Sequence, residues 1–196
     1  ISDARSSGIG RGRLAGPDLV HPFRGVRSTD PSLARALAVL PLLRDGDRLS
    51  HTTAADVLGI PLPCSAESIV HVTAGDGRVA PRIRGVVGHS DDRRGFDLVG
   101  GIPLSRPGEL FLELAGELGH DALVAVGDHL IHSPRFAEPR RPFTDLEALV
   151  DVCREPGRRH VRLARAALVD VRMGVASPRE TRLRLEASRD QIRPMT

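Results

Sequence analysis

The stretch SIVHVTAGDGRVAPRIRGVVGH (residues 68–89) decides the fold class of the chain. Both SIVHVTA and RIRGVVGH have the period of two that indicates β-strands. GDGRVAP between them contains the Gly and Pro residues that are typical of turns. Farther along, FDLV and IPLS flank Gly100 and Gly101, a pair typical of a tight hairpin. We therefore predict a small antiparallel sheet over roughly residues 68–104.

Helices are predicted on both sides of this sheet. After it, start and stop signals predict helices from Ser105 to about Gly119 and over residues 121–132, 145–154, 158–171 and 177–189. Ser177 and Glu180 form a capping box at the start of the last helix. Before the sheet, HTTAADVLGI predicts a short helix closed by Gly59, and SLARALAVLPLL (residues 32–43) predicts an apolar helix with Asp30 as its N-cap. We therefore predict an α+β fold with a small antiparallel sheet packed with several helices.

The N-terminal segment carries arginines in a pattern that is typical of DNA-binding modules. SDARSSGIGRGRLAG (residues 2–16) predicts two short helices, residues 2–7 and 11–15, and DLVHPFRGVRS (residues 18–28) predicts a two-stranded hairpin. This order matches a winged helix-turn-helix, in which the second helix enters the major groove and the wing follows the phosphates. The candidate DNA-binding residues are Arg11, Arg13, Arg24 and Arg27. A small helical lid with solvated charges is the alternative.

Composition and charge limit the classes of function. The 196 residues are 40% hydrophobic but only 3% aromatic, with five Phe and neither Trp nor Tyr, so the core must be aliphatic. All positive side chains are Arg, and the net charge is +3. Residues 1–48 hold eight Arg against five acids and residues 134–196 hold fourteen against nine, whereas residues 96–133 hold one against six. Basic ends suit an anionic partner, and a solvated arginine surface is the other interpretation.

The sequence also predicts the compartment. Cys64 and Cys153 lie far apart, and the chain has neither a C-x-x-C pair nor a secretory apolar region, which is typical of a reduced cytoplasmic protein. The most apolar stretch, residues 33–43, contains Arg35 and Pro41 and is much shorter than the roughly 20 residues of a membrane span. We expect no membrane partner.

The polar clusters of the sequence do not predict a catalytic or metal centre. His120, Asp121, Asp128, His129 and His132 lie close in sequence, and Asp128 and His132 are one helical turn apart, but the cluster lacks the H-E-x-x-H pattern. Surface or capping histidines are the favoured interpretation there. His51 lies at a predicted helix start, where capping explains the polar residues. We predict no catalytic residue, no metal ligand and no cofactor.

Glutamates recur at every fourth position of the first helix after the sheet: Glu109, Glu113 and Glu117. Like charges at this spacing destabilise a helix slightly, so an arginine partner is one possibility, with RRHVRLARAALVDVR (residues 158–172) as its source. The favoured interpretation is a solvated face. An interaction domain that uses this acidic face is a further alternative.

The order of several motifs resembles a known family. These motifs are RLAGPDLVHPFRGVR, LSHTTAADVLGIPLP, SIVHVTAGDGR, RIRGVVGH, GGIPLSRPGELFLELAGELG, DALVAVGDHLIH, GRRHVRLARAALVDVR and SPRETRLRL. Together they resemble actinobacterial antitoxins of the AbiEi family of type IV toxin–antitoxin systems. Many such proteins carry a C-terminal domain similar to very-short-patch-repair endonucleases. The resemblance covers nearly the whole chain.

The resemblance implies three regions. They are a partial winged helix-turn-helix DNA-binding domain at residues 1–48, an antitoxin-type α+β domain at residues 49–176, and a terminal helix at residues 177–196 that corresponds to the entry of a nuclease-like domain. In such systems the antitoxin represses its own operon and opposes a nucleotidyltransferase toxin without a stable complex.

Two functions follow from the resemblance. The first is a non-catalytic DNA-binding transcriptional regulator and antitoxin that binds double-stranded DNA of its own promoter through Arg11, Arg13, Arg24 and Arg27. The alternative is the targeting portion of a very-short-patch-repair-like endonuclease that lacks its catalytic domain. In that case Glu180 is the residue that corresponds to the glutamate of the nuclease, and the partner carboxylates of the nuclease have no counterpart among these motifs.

Overall fold

The computed structural model describes residues 2–63, 69–91 and 95–192. The chain divides into two compact units that do not follow chain order. The first, which we call the sheet unit, comprises Ile1–Thr53 and Ala66–Leu104; the second, the helical unit, comprises Ala54–Ser65 and Ser105–Thr196. The α+β class is confirmed. The predicted region boundaries at residues 48 and 176 stay predictions.

The described residues of the sheet unit form five strands in the order β3-β2-β1-β5-β4. β1 pairs antiparallel with β2 and parallel with β5, and β2 pairs parallel with β3. Gly100 and Gly101, both at positive φ, form the turn between β4 and β5. The strands are β1 (Arg48–Leu49), β2 (Val70–Ala74), β3 (Val86–Ser90), β4 (Phe96–Val99) and β5 (Ile102–Ser105).

The prediction of an antiparallel sheet is wrong, because the sheet is mixed. Val70 aligns with Val86 and Ala74 with Ser90, so β3 runs in the direction of β2. Residues 75–85 therefore form a crossover that returns to the start of β2 instead of a hairpin turn. This connection lies directly against β3, since a Cβ on Gly88 would be 2.2 Å from the carbonyl oxygen of Pro81. Turn residues alone do not distinguish these two paths of the chain.

The N-terminal segment contains the predicted short elements without confirming a winged helix. Helices α1 (Ser2–Ser6) and α2 (Arg11–Leu14) are separated by a turn, and a single antiparallel bridge joins Val20 to Ser28. None of the four residues of α2 is buried.

The apolar helix predicted over residues 32–43 is shorter than expected. It forms α3 (Arg35–Ala38) and a 3₁₀ turn (Leu40–Leu42). Asp30 accepts a hydrogen bond from the backbone N–H of Ser32 at 2.8 Å, so it closes a local turn instead of capping the helix. The N-cap is Ala34.

The predicted helices of the C-terminal part are confirmed, and α5 ends at Leu114, about five residues before the predicted end. Asp145 caps α7 by accepting from the N–H of Ala148 at 2.8 Å, and Gly59 at φ 70° follows the last residue of α4. Within the helical unit, α6 packs against α8 and α9, and α5 packs against α7. The helices are α4 (His51–Leu58), α5 (Pro107–Leu114), α6 (His120–Ile131), α7 (Leu146–Arg154), α8 (Val161–Asp170) and α9 (Pro178–Ile192).

Aliphatic side chains dominate the buried core of each unit, as the composition predicts. In the sheet unit the core includes Val39, Leu49, Val70, Val72 and Leu104. In the helical unit it includes Phe111, Leu114, Leu123, Leu130 and Leu149. Among the helices of the described residues, none has the length and apolar character needed to span a bilayer.

Candidate functional site

Two of the four predicted DNA-binding arginines are engaged by the N-terminal segment itself. Arg13 forms a bidentate pair with the carboxylate of Asp18, with both N–O distances at 2.8 Å. Arg27 donates to the carbonyl oxygens of Leu14 at 3.2 Å and Val26 at 2.9 Å. Arg27 therefore connects the end of α2 to the loop next to the bridge, which is a positioning role.

The other two arginines, Arg11 and Arg24, are exposed. Neither forms an ion pair with a charged side chain of the described residues. Arg11 is the first residue of α2, and Arg24 lies in the loop between the two residues of the bridge. Of the four candidates, these two keep their guanidinium groups available to an anionic partner.

The glutamate stripe of α5 is largely used within the helical unit. Arg158, whose side chain is only 6% exposed, pairs with Glu109 and, at 3.2 Å, with Glu155. Glu113 accepts from the hydroxyl of Ser105 at 2.9 Å. Burial raises the pKa of Glu117. The interpretation with an arginine partner is therefore confirmed for Glu109, and that partner comes from the predicted segment.

Asp128 and Glu180 both have structural roles. Asp128 is 1% exposed and accepts from the hydroxyl of Thr181, the N–H of Arg172 and the guanidinium of Arg184. Glu180 accepts from the N–H of Ala176 at 3.1 Å, and its own N–H donates to Ser177 Oγ at 3.4 Å. The predicted cap at the start of α9 is confirmed. The bond from Ala176 and a second bond, which Ser177 Oγ donates to the carboxylate at 3.0 Å, lower the pKa of Glu180.

The histidines of α6 have protein partners. His120 lies between Asp121 at 3.1 Å and Asp170 at 3.3 Å, and Arg141 donates to the ring of His129 at 2.8 Å.

Cys153 is a buried free thiol whose pKa is raised by burial. Cys64 lies outside the described residues.

The structure brings together three histidines that the sequence did not point to as a group: His51, His71 and His89. All three belong to the sheet unit. His51 begins α4 directly after β1, His71 is the second residue of β2, and His89 is the fourth residue of β3. We call them the histidine cluster. Each offers one ring nitrogen, and these atoms all lie within 4.8 Å of one another.

Strand register places His71 and His89 on the same face of the sheet. His89 aligns with Thr73 across the parallel pair β2–β3. Thr73 is two residues after His71, and side chains two residues apart share a face of a strand. The ring nitrogens His71 Nδ1 and His89 Nε2 are 3.1 Å apart.

His51 is held beside His71 by the residues on either side of it. The N–H of Ser50 donates to the carbonyl oxygen of His71 at 3.2 Å, and the hydroxyl of Thr53 accepts from the N–H of His71 at 2.9 Å. His51 has φ 51°, an uncommon conformation for a residue other than Gly. Its ring stacks on that of His89 with 3.7 Å between centroids and 15° between planes.

The cluster is half-buried, and burial disfavours the charged imidazolium. Burial lowers the pKa of His71, and burial together with the charge of His71 lowers the pKa of His89 to about 4. Burial therefore favours the neutral form of both rings. The neutral imidazole is the form of histidine that binds metal ions. His71 Nδ1 and His89 Nε2 are hydrogen-bonded to each other, and His51 Nδ1 is hydrogen-bonded to Ser50 Oγ at 3.0 Å.

In the sequence, His51 has the features of a helix start, and neither His71 nor His89 belongs to a recognisable metal-binding motif. The available signal was a histidine inside each of two apolar strands, in VHV and VVGHS. That signal becomes specific only with the parallel register of β2 and β3.

Comparison with protein-family models, with curated proteins and with solved structures finds no significant match to this chain.

Proposed function

We propose that the chain is a non-catalytic DNA-binding regulator of the AbiEi antitoxin type, which binds double-stranded DNA of its own promoter and opposes a nucleotidyltransferase toxin. The ordered motifs of the sequence support the family, and the exposed guanidinium groups of Arg11 and Arg24 support contact with an anionic partner. We place it in the cytoplasm.

The proposal rests on the different side-chain contacts of the four arginines. Arg13 and Arg27 are used inside the N-terminal segment, whereas Arg11 and Arg24 are exposed and lack an ion pair among the described residues. Helix α2 has only four residues, too few to read several base pairs along a groove. We therefore expect phosphate contacts by Arg11 and Arg24 to provide most of the affinity.

A binding titration tests this proposal. The full chain is titrated against its own upstream DNA and a scrambled duplex at a series of salt concentrations. Each phosphate contact contributes about one unit to the slope of log affinity against log salt. The double substitution Arg11→Ala and Arg24→Ala should therefore lower that slope by about two units and weaken binding to both duplexes.

The matched control is Arg182→Ala together with Arg154→Ala. Both side chains are exposed helical arginines, at 78% and 73%, and the double variant loses the same charge. Its salt slope should stay at the wild-type value. Absence of binding by the wild-type chain, or equal loss in both double variants, would contradict the proposal.

A further inference from the structure

We propose that His51, His71 and His89 form a binding site for a divalent transition-metal ion, with Zn²⁺ as the ion that suits it best. The inference is separate from the proposed DNA binding, because it concerns the sheet face and not the arginines of the N-terminal segment. It changes the sequence-based expectation, which assigned no metal ligand.

The distances within the cluster suit a single ion. Two nitrogens bound to one tetrahedral Zn²⁺ at 2.0–2.1 Å are about 3.3–3.4 Å apart. His71 Nδ1 and His89 Nε2 are 3.1 Å apart, close to this separation. The ligand atom of His51 lies within 4.8 Å of the other two. Because the ring of His51 is stacked on that of His89, it must turn out of this stack to bring the third nitrogen to the ion.

The backbone holds the three ligands on fixed elements. His71 and His89 are on neighbouring hydrogen-bonded strands, and both backbone polar groups of His71 are bonded to residues that flank His51. The positive φ of His51 directs the chain from β1 into α4 at this point. Unusual backbone conformations in residues other than Gly concentrate at functional sites.

The donor set selects the kind of metal. Three imidazole nitrogens without a thiolate suit Zn²⁺, Cu²⁺, Ni²⁺ or Co²⁺, whereas Mg²⁺ and Ca²⁺ prefer oxygen ligands. A set of three histidines leaves a fourth position for water or another ligand.

The charges beside the cluster permit a cation. Arg48 aligns with Thr73 across β1–β2, so it shares the face that carries His71. Its guanidinium is 1% exposed and donates to the carboxylate of Asp91 at 3.0 Å, which balances its positive charge. The hydroxyl of Thr73 is buried without a hydrogen-bond partner among the described residues. This face therefore has an unmet polar group next to the proposed site.

The first test measures metal binding by the full chain after removal of metal with a chelator. Calorimetric titration with Zn²⁺ should show one ion per chain. Co²⁺ should give the visible absorption that is typical of a four- or five-coordinate site. If the calorimetric titration shows no uptake of Zn²⁺, the proposal is wrong. The variants His51→Gln, His71→Gln and His89→Gln should each weaken Zn²⁺ binding at least tenfold. His21→Gln, at an exposed histidine of the same unit, should bind as the wild type does.

A second measurement covers the case in which a variant does not fold. Wild-type protein is modified with diethyl pyrocarbonate with and without Zn²⁺, and the modified histidines are mapped by peptide mass spectrometry. Zn²⁺ should reduce modification of His51, His71 and His89 several-fold and leave His21 unchanged. Protection that maps to the histidines of α6, or no protection at all, would show that the cluster is only a metal-free stack of neutral rings.

Discussion

The buried carboxylate of Asp128 accepts a hydrogen bond from the hydroxyl of Thr181 at 2.8 Å. Asp128 belongs to α6 and Thr181 to α9, and both residues are 1% exposed. The same carboxylate accepts from the N–H of Arg172 at 2.7 Å and from the guanidinium of Arg184 at 2.9 Å. A buried carboxylate therefore attaches the last helix to the centre of the helical unit.

Replacing Thr181 with Val should destabilise the protein. Valine keeps the shape of threonine but removes the donor, so Asp128 loses one of its partners while it stays buried. Arg172 and Arg184 still donate to the carboxylate. The loss of one hydrogen bond to a charged group costs about 1.5–3 kcal/mol in the free energy of unfolding. Urea denaturation followed by far-ultraviolet circular dichroism measures this loss, since the chain has no Trp or Tyr for fluorescence.

Thr29→Val is the matched control for this change. Thr29 is exposed, and surface substitutions usually change stability by less than about 0.5 kcal/mol. Equal effects of the two substitutions would show that the hydrogen bond from Thr181 to Asp128 contributes nothing specific.

The two partners of Arg158 should differ in their contribution to stability. Glu109 has a side chain 17% exposed, whereas that of Glu155 is 45% exposed. Removing a buried partner leaves the nearly buried guanidinium poorly compensated, but an exposed pair contributes little. We expect Glu109→Gln to lower the free energy of unfolding by about 1–3 kcal/mol and Glu155→Gln by less than about 1 kcal/mol.

Denaturation at two salt concentrations checks this expectation. Added salt should reduce the effect of Glu155→Gln more than that of Glu109→Gln, because screening acts most strongly on exposed charges. A larger loss for Glu155→Gln would mean that burial does not govern this pair.

The close contact of Gly88 with the crossover connection should make that position intolerant of a side chain. A Cβ there would lie 2.2 Å from the carbonyl oxygen of Pro81, which is backbone and moves only with the connection. Overpacking of this kind costs about 1–3 kcal/mol, so Gly88→Ala should lower the unfolding midpoint clearly. Gly12→Ala is the control, since nothing lies within 4 Å of its Cβ position in α2. Its midpoint should be equal to the wild-type value or slightly higher.

The helices from α4 onward were predictable because their signals are local. Asp145 caps α7, Ser177 and Glu180 cap α9, and Gly59 at positive φ follows α4. Each of these signals depends on residues within a few positions of the helix end. The aliphatic core followed from composition for the same reason, since it needs no knowledge of the path of the chain.

The sheet topology and the histidine cluster depend on contacts that are distant in sequence. A turn at Asp76 and Gly77 is compatible with a hairpin and with a crossover, so these residues do not determine the direction of β3. In the crossover the connection packs on Gly88, a contact between residues that the turn alone does not predict. His71 and His89 become neighbours only in the parallel register. If β2 and β3 were antiparallel, His71 and His89 would have other neighbours. The sequence therefore does not predict the histidine cluster.

His129 should make the protein sensitive to mild acid. Arg141 donates to His129 Nε2 at 2.8 Å, so this nitrogen must be unprotonated. Burial, with the charges of Arg141 and His132, lowers the pKa of His129 from 6.5 to about 4. Between pH 6.5 and about pH 4, His129 binds a proton in the unfolded chain but not in the folded protein. Stability is therefore complete above about pH 6.5 and is lost progressively towards pH 4.

The size of this loss follows from the pKa of His129. A change from 6.5 to about 4 corresponds to about 3 kcal/mol, which partial exposure of the ring reduces to about 1–2 kcal/mol. His129→Gln keeps an oxygen that can accept from Arg141 but does not titrate, so its stability should fall less between pH 7 and pH 4. His21→Gln, at an exposed position, should follow the wild-type curve. If His129→Gln also follows that curve in urea denaturation at each pH, the protonation of His129 does not limit stability in acid.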